Sequence, residues 1–223
     1  MARLKTLIES IASSRVKKMD LSSRKTKDTR SINVATTRFR AIQIITSDLD
    51  GVEDGALSAA TFAANVTERV KVKKISADRD ALKDAIKRAD VVLIAGDYPL
   101  PVKTGKTPII NRARFASNYA TKKSVLMYYV GEPYMVLVGG RTPQSLGFTL
   151  SNTTPHHLTA RFGSEKIDEI VERRFLRVVV VGPKLSNSKD IAESRKRSSD
   201  FFTALLKAFL TKPTPPVDEG KER

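Results

Sequence analysis

Gly105-Lys106-Thr107 follows the apolar run VVLIAG, residues 91 to 96, and invites comparison with a loop that grips nucleotide phosphates. Such a loop needs a glycine five positions before the glycine of Gly-Lys-Thr, because the backbone between them wraps the phosphates with amide donors. Here that position is Leu100, the preceding glycine is Gly96, and Pro99 and Pro101 remove two amides. A P-loop is excluded. Lys103 and Lys106 are left as basic residues of an exposed turn, available to phosphate.

His156 and His157 are the only histidines. Adjacent residues on a strand point to opposite faces, so the pair does not converge on one metal. There is no cysteine to complete a zinc site. The acidic run Asp48, Asp50, Glu53, Asp54 has the flavour of a calcium loop but lacks the twelve-residue order and its terminal glutamate. It reads as an acidic turn. No residue is therefore assigned to catalysis, to a metal or to a cofactor, and the expectation is a protein that is not an enzyme.

Charge is the more coherent signal. The chain has 223 residues, with 40 Lys and Arg against 24 Asp and Glu, a formal charge of +16. Such a balance attracts polyanions and repels copies of the same chain. Residues 1 to 40 hold eleven basic residues against Glu9, Asp20 and Asp28, a net of +8, so half the excess sits in under a fifth of the length. The expected nucleic-acid contacts are Arg15, Lys17, Lys18, Arg24, Lys25, Lys27, Arg30, Arg38 and Arg40 of this arm. Lys103, Lys106, Arg112 and Arg114 add to them, the last two accompanied by Phe115 and Tyr119. Arginine pairs with phosphate bidentately and lysine adds a mobile point charge. There is no Trp, and no RNA-recognition, KH or zinc-finger pattern, so base reading has no motif behind it.

The elements that carry these residues follow from periodicity. Leu4, Leu7, Ile8 and Ile11 predict an amphipathic helix, and an aperiodic basic segment follows it. AIQIIT alternates as a half-buried strand. DRDALKDAIKRA is a helix, and VVLIAG and LRVVVVG are strands buried on both faces. Lys71 and Lys73 face solvent opposite Val70 and Val72. SEKIDEIVERRF is a helix, and Phe201, Phe202, Leu205, Leu206, Phe209 and Leu210 line the apolar face of a long last one. SVLMYYVGEPYMVLVGG reads as two strands joined at Gly131-Glu132-Pro133, and SLGFTL as a further strand. No run of eighteen apolar residues exists, so transmembrane insertion is not expected.

Because residues 124 to 150 offer no crossover helix, the expected class is α+β: a mainly antiparallel sheet or sandwich with flanking helices, jelly-roll-like in one variant. The domain reading is a basic helix and arm at 1–40, a core at 41–210 and a polar tail at 211–223. The leading functional expectation is an RNA-binding structural protein, a viral coat or nucleocapsid protein that self-associates, found in the virion or host cytoplasm. A ribosomal or other cytoplasmic ribonucleoprotein component is the first alternative. An enzyme acting on a nucleotide or phosphorylated substrate is the second, and it requires Lys103 or Lys106, a histidine and the acidic 48–54 segment to converge.

Overall fold

In the computed structural model, residues 38–95, 108–130, 142–155, 157–158, 167–173, 175–183 and 188–211 are described. Contacts divide the chain into Met1–Thr37 and Arg38–Arg223, and the fold is that of the second unit. The order of elements is β1 (Ala41–Thr46), α1 (Val52–Val66), β2 (Val70–Lys74), α2 (Arg79–Arg88), β3 (Val91–Ala95), α3 (Pro108–Lys122) and β4 (Leu126–Val130). After them come α4 (Pro143–Ser151), α5 (Ile167–Glu172), β5 (Phe175–Val181) and α6 (Ser188–Leu210).

The five strands form one sheet in the order β2-β1-β5-β3-β4, and every pairing is parallel. The last strand thus enters between the first and the third. Parallel neighbours need crossover connections, and the helices supply them. Side chains alternate between two cores. Ile42, Ile44, Val91, Leu93, Val178 and Val180 face a layer containing α1, α4 and α6. Ile45, Val92, Ile94, Val179 and Val181 face α2 and α3. This double coverage explains why β3 and the end of β5 are continuous apolar runs with no exposed position.

Local chemistry sets the element ends. Asp78 caps α2, its side chain accepting from the Ala81 amide at 2.7 Å, while Lys87 and Arg88 sit in the last turn. Gly51, at φ 96° and ψ −116°, makes the sharp entry into α1 that a side chain would oppose. Phe202 and Leu205 of α6 are fully enclosed, and each such burial is worth roughly 1.5–3 kcal/mol.

The antiparallel sandwich and the jelly-roll variant are therefore incorrect: the fold is a parallel, Rossmann-like α/β sheet with alternating strand and helix. The error has one local source. Residues 145–150, SLGFTL, are not a strand but part of α4, begun by Thr142 accepting from the Ser145 amide at 3.2 Å with Pro143 in the first turn. Leu146 and Leu150, four apart, are its fully buried stripe. That helix is the crossover thought to be missing. The proposed hairpin around residues 131–133 lies outside the described residues, and its first strand is β4, paired in parallel with β3.

Candidate functional site

The carboxyl ends of β1, β5 and β3 meet where the chain leaves β1 toward α1 on one face and leaves β3 toward α3 on the other. In open α/β sheets this divergence creates a crevice. Glu53, in the first turn of α1 and 1% exposed, lies across it. Its carboxylate accepts from the Ser47 amide at 3.3 Å, from the Ser47 hydroxyl, and from the Gly182 amide beyond β5 at 3.1 Å. From the other layer, Arg112 of α3 donates through Nε at 2.8 Å and Nη2 at 3.0 Å. Five hydrogen bonds occupy the carboxylate, so Glu53 joins four segments rather than acting on a substrate. It also fixes Arg112, whose Nη1 donates to the Ala77 carbonyl at 2.7 Å. One N–H remains on each terminal nitrogen of that guanidinium beyond these bonds.

Beside Arg112 opens a cavity of about 750 Å³ between α2 and the outer side of α3. Leu49, Ala77 and Leu82 give it apolar walls, and Arg79, Arg112, Arg114 and Lys122 line it with positive charge; no carboxylate is among its described lining residues. Phe115 and Tyr119, one helical turn apart on α3, stack with centroids 5.8 Å apart and planes 18° from parallel. The Arg79 guanidinium sits 4.3 Å from the Phe115 ring centroid, a cation–π contact at the cavity wall. The site thus combines apolar walls with several cations, and suits a ligand with an apolar or flat part and a phosphate or carboxylate.

The other expected site residues fall apart in space. Asp48 pairs with Lys74 at 2.6 Å, which holds its carboxyl below the usual range, and Asp54 pairs with Arg195 at 2.8 Å. The acidic run therefore points in three directions. Among the described residues no group of three His, Cys, Asp or Glu is placed to hold a metal. His157 is at the opposite edge of the sheet, in a cavity with Asp90, Val125 and Leu126, where its Nδ1 accepts from the Thr154 amide at 3.1 Å. It does not approach residues 48–54. His156, Lys103, Lys106 and the arm residues Arg15, Lys17, Lys18, Arg24, Lys25, Lys27 and Arg30 lie outside the described residues. Arg38 and Arg40 are exposed at the amino end of β1, away from the crevice.

Arg112 and Arg114 were selected for phosphate contact from charge alone, and both line the cavity, Arg112 held by an unforeseen carboxylate. Arg79 was missed. Its only sequence signal is its place directly after the helix cap Asp78, which aims it at a strand's carboxyl end.

Comparison with protein-family models, with curated proteins and with solved structures gives no match. The class rests on fold and site: a Rossmann-like parallel α/β protein with its crevice at the switch point, the architecture typical of nucleotide- and cofactor-binding enzymes. The expectation of a non-enzymatic RNA-binding coat or nucleocapsid protein, self-associating or in a ribonucleoprotein, is overturned by that finding. The reason is topological: parallel strands with helices on both faces replace the antiparallel shell that the coat reading required, and they create a crevice at the carboxyl ends of the strands instead. Among the described residues no helix is long and apolar enough to cross a membrane.

Proposed function

We propose that the chain is an enzyme acting on a nucleotide or a related phosphorylated small molecule, bound at the carboxyl edge of the sheet. Fold alone does not assign an activity, so the reading rests on the site. The observation that carries it is the cavity where Arg79, Arg112, Arg114 and Lys122 surround stacked Phe115 and Tyr119 without a lining carboxylate. Cations neutralise phosphate, and the apolar walls of Leu49, Ala77 and Leu82 accept a base or other flat group. Arg112 is the anchor of choice. Glu53 and Ala77 hold it in place before any ligand arrives, so little side-chain freedom is lost on binding.

Calorimetric titration of the purified chain with ATP, GTP, NAD and inorganic phosphate tests this reading. We expect saturable binding of at least one nucleotide, weakened about tenfold or more by Arg79→Ala, corresponding to about 1.4 kcal/mol or more. Phosphorus NMR of the bound nucleotide over time reports turnover. Absence of binding to all four, or binding unaffected by Arg79→Ala and Phe115→Ala, would remove the proposal.

A further inference from the structure

Parallel sheets are ordinarily covered on both faces, yet on the side of α2 and α3 a groove walled by α2 stays open among the described residues beside Gln43 of β1 and Lys73 of β2. The residues there are polar and in register. Gln43 is the Cα partner of Lys71 on one side and of Arg177 on the other, so the three form a row across β2, β1 and β5. Strand spacing puts the ends of that row roughly 10 Å apart. A groove of about 450 Å³ continues it, with Lys73, Arg88, Phe175 and Asp84 at its walls. Lys71, Lys73, Arg88 and Arg177 form no ion pair among the described residues, and Asp84 is the one carboxylate in the groove wall.

We propose that this open half of the sheet is a docking surface for an extended acidic segment of a partner protein. Charge complementarity selects the chemistry. Four cations stand against one carboxylate in the groove wall, with Asp90 and Glu169 near Arg177 and Asp90 already paired to Arg173. In an extended peptide the side chains on one face recur roughly every 6.8 Å, the spacing that separates Lys71 from Lys73 along β2. The one aromatic residue argues for carboxylates over stacked bases. Phe175 has the Lys71 ammonium 4.7 Å and the Arg177 guanidinium 5.6 Å from its ring centroid, so its π surface is already engaged by cations. Single-strand nucleic-acid platforms need that surface for bases. The lysines on β2 also discourage another strand from adding to the sheet edge, which leaves the face as the surface for a partner.

Fluorescence anisotropy on the full chain provides the test, with a labelled twelve-residue peptide of alternating Glu and Gly, its Gln-Gly counterpart, and a single-stranded RNA twelve-mer. Saturable, salt-sensitive binding of the Glu peptide alone is expected, weakened at least tenfold in Lys71→Glu/Lys73→Glu. A second double variant, Lys196→Glu/Lys207→Glu, makes the same charge change on α6 in the opposite layer and is expected to bind within twofold of the parent. Thermal melting of both variants checks that each is folded. Equal weakening in the two variants, no peptide binding, or RNA binding tighter than the peptide and lost in Lys71→Glu/Lys73→Glu would each overturn the proposal. Nucleotide titration of the Lys71→Glu/Lys73→Glu variant distinguishes this surface from the cavity beside α3, and is expected to match the parent.

Discussion

Glu53 and Arg112, fifty-nine residues apart, form a two-pronged ion pair of 2.8 and 3.0 Å that ties the start of α1 to α3 across the ends of the strands. Glu53 is 1% exposed and the Arg112 side chain 12%. Removing one partner of such a pair leaves the other charge in a medium that solvates it poorly. Glu53→Gln is expected to cost about 3 kcal/mol in urea denaturation, since the Ser47 and Gly182 amides also lose an ionised acceptor. Nucleotide affinity should fall with it, because Arg112 loses the contact that positions it.

Asp90, fully enclosed at the amino end of β3, receives a hydrogen bond from Arg173 at 2.8 Å and one from the Arg177 amide at 2.8 Å. Burial pushes its carboxyl above the usual range, with Arg173 pulling the other way. The Arg173 side chain is 8% exposed. Asp90→Ala strands that guanidinium and is expected to cost about 3–5 kcal/mol. Asp90→Ala combined with Arg173→Met should recover a good part of the loss, and a double-mutant cycle by denaturation measures the coupling.

Gly55 marks the crossing of α1 over α6. A Cβ there would come within 2.4 Å of the Arg195 carbonyl oxygen and 2.7 Å of the Ser198 Cβ, and Ser198 is itself anchored to the Val52 carbonyl at 2.7 Å. Alanine gains about 1 kcal/mol of helix propensity over glycine, but the clash is with backbone and forces the helices apart, typically at 1–3 kcal/mol. Gly55→Ala should therefore lower the unfolding midpoint. An unchanged or higher midpoint would mean that the two helices are less closely packed.

The cap of α2 supplies a pH dependence. Hydrogen bonds from the Ala81 amide and Ser76 lower the Asp78 carboxyl below its reference of 3.8. A folded value below the unfolded one stabilises the native state above about 3.8, and the contribution disappears as pH falls through the lowered value. Asp78→Asn keeps a capping oxygen but does not titrate. Wild type should be at least as stable as the variant at pH 7 and lose its advantage as the pH falls below about 3.8, as followed by thermal melting in acid.

Several features are legible from sequence because short-range physics decides them. The all-apolar VVLIA and VVVV runs gave doubly buried strands, and DRDALKDAIKR gave α2. Phe201, Phe202, Leu205, Leu206 and Phe209 are the buried face of α6 as the spacing implied. Lys71 and Lys73 are exposed opposite buried Val70. Tyr128 and Tyr129, adjacent on β4, are both half-buried and pack against opposite cores, as a regular strand requires. Val66, for all its hydrophobicity, is 73% exposed, because it is the last residue of its helix and extends past the packed turn.

Sequence alone determined the basic surplus, the absence of cysteine chemistry, the failed P-loop at Gly105-Lys106-Thr107, and most of the helices and strands. All of these follow from composition or from neighbours a few residues apart. Tertiary structure alone decided that the strands run parallel, that β5 inserts between β1 and β3, and that Glu53 meets Arg112 and the Gly182 amide. Those facts depend on pairings between residues separated by 28 to 134 positions, as in Ile42 with Val70 and Gln43 with Arg177. One short segment decided the class: six residues at 145–150 suit either a two-residue or a 3.6-residue period, and the Thr142 cap together with the burial of Leu146 and Leu150 in the core shared with α6 selects the helix.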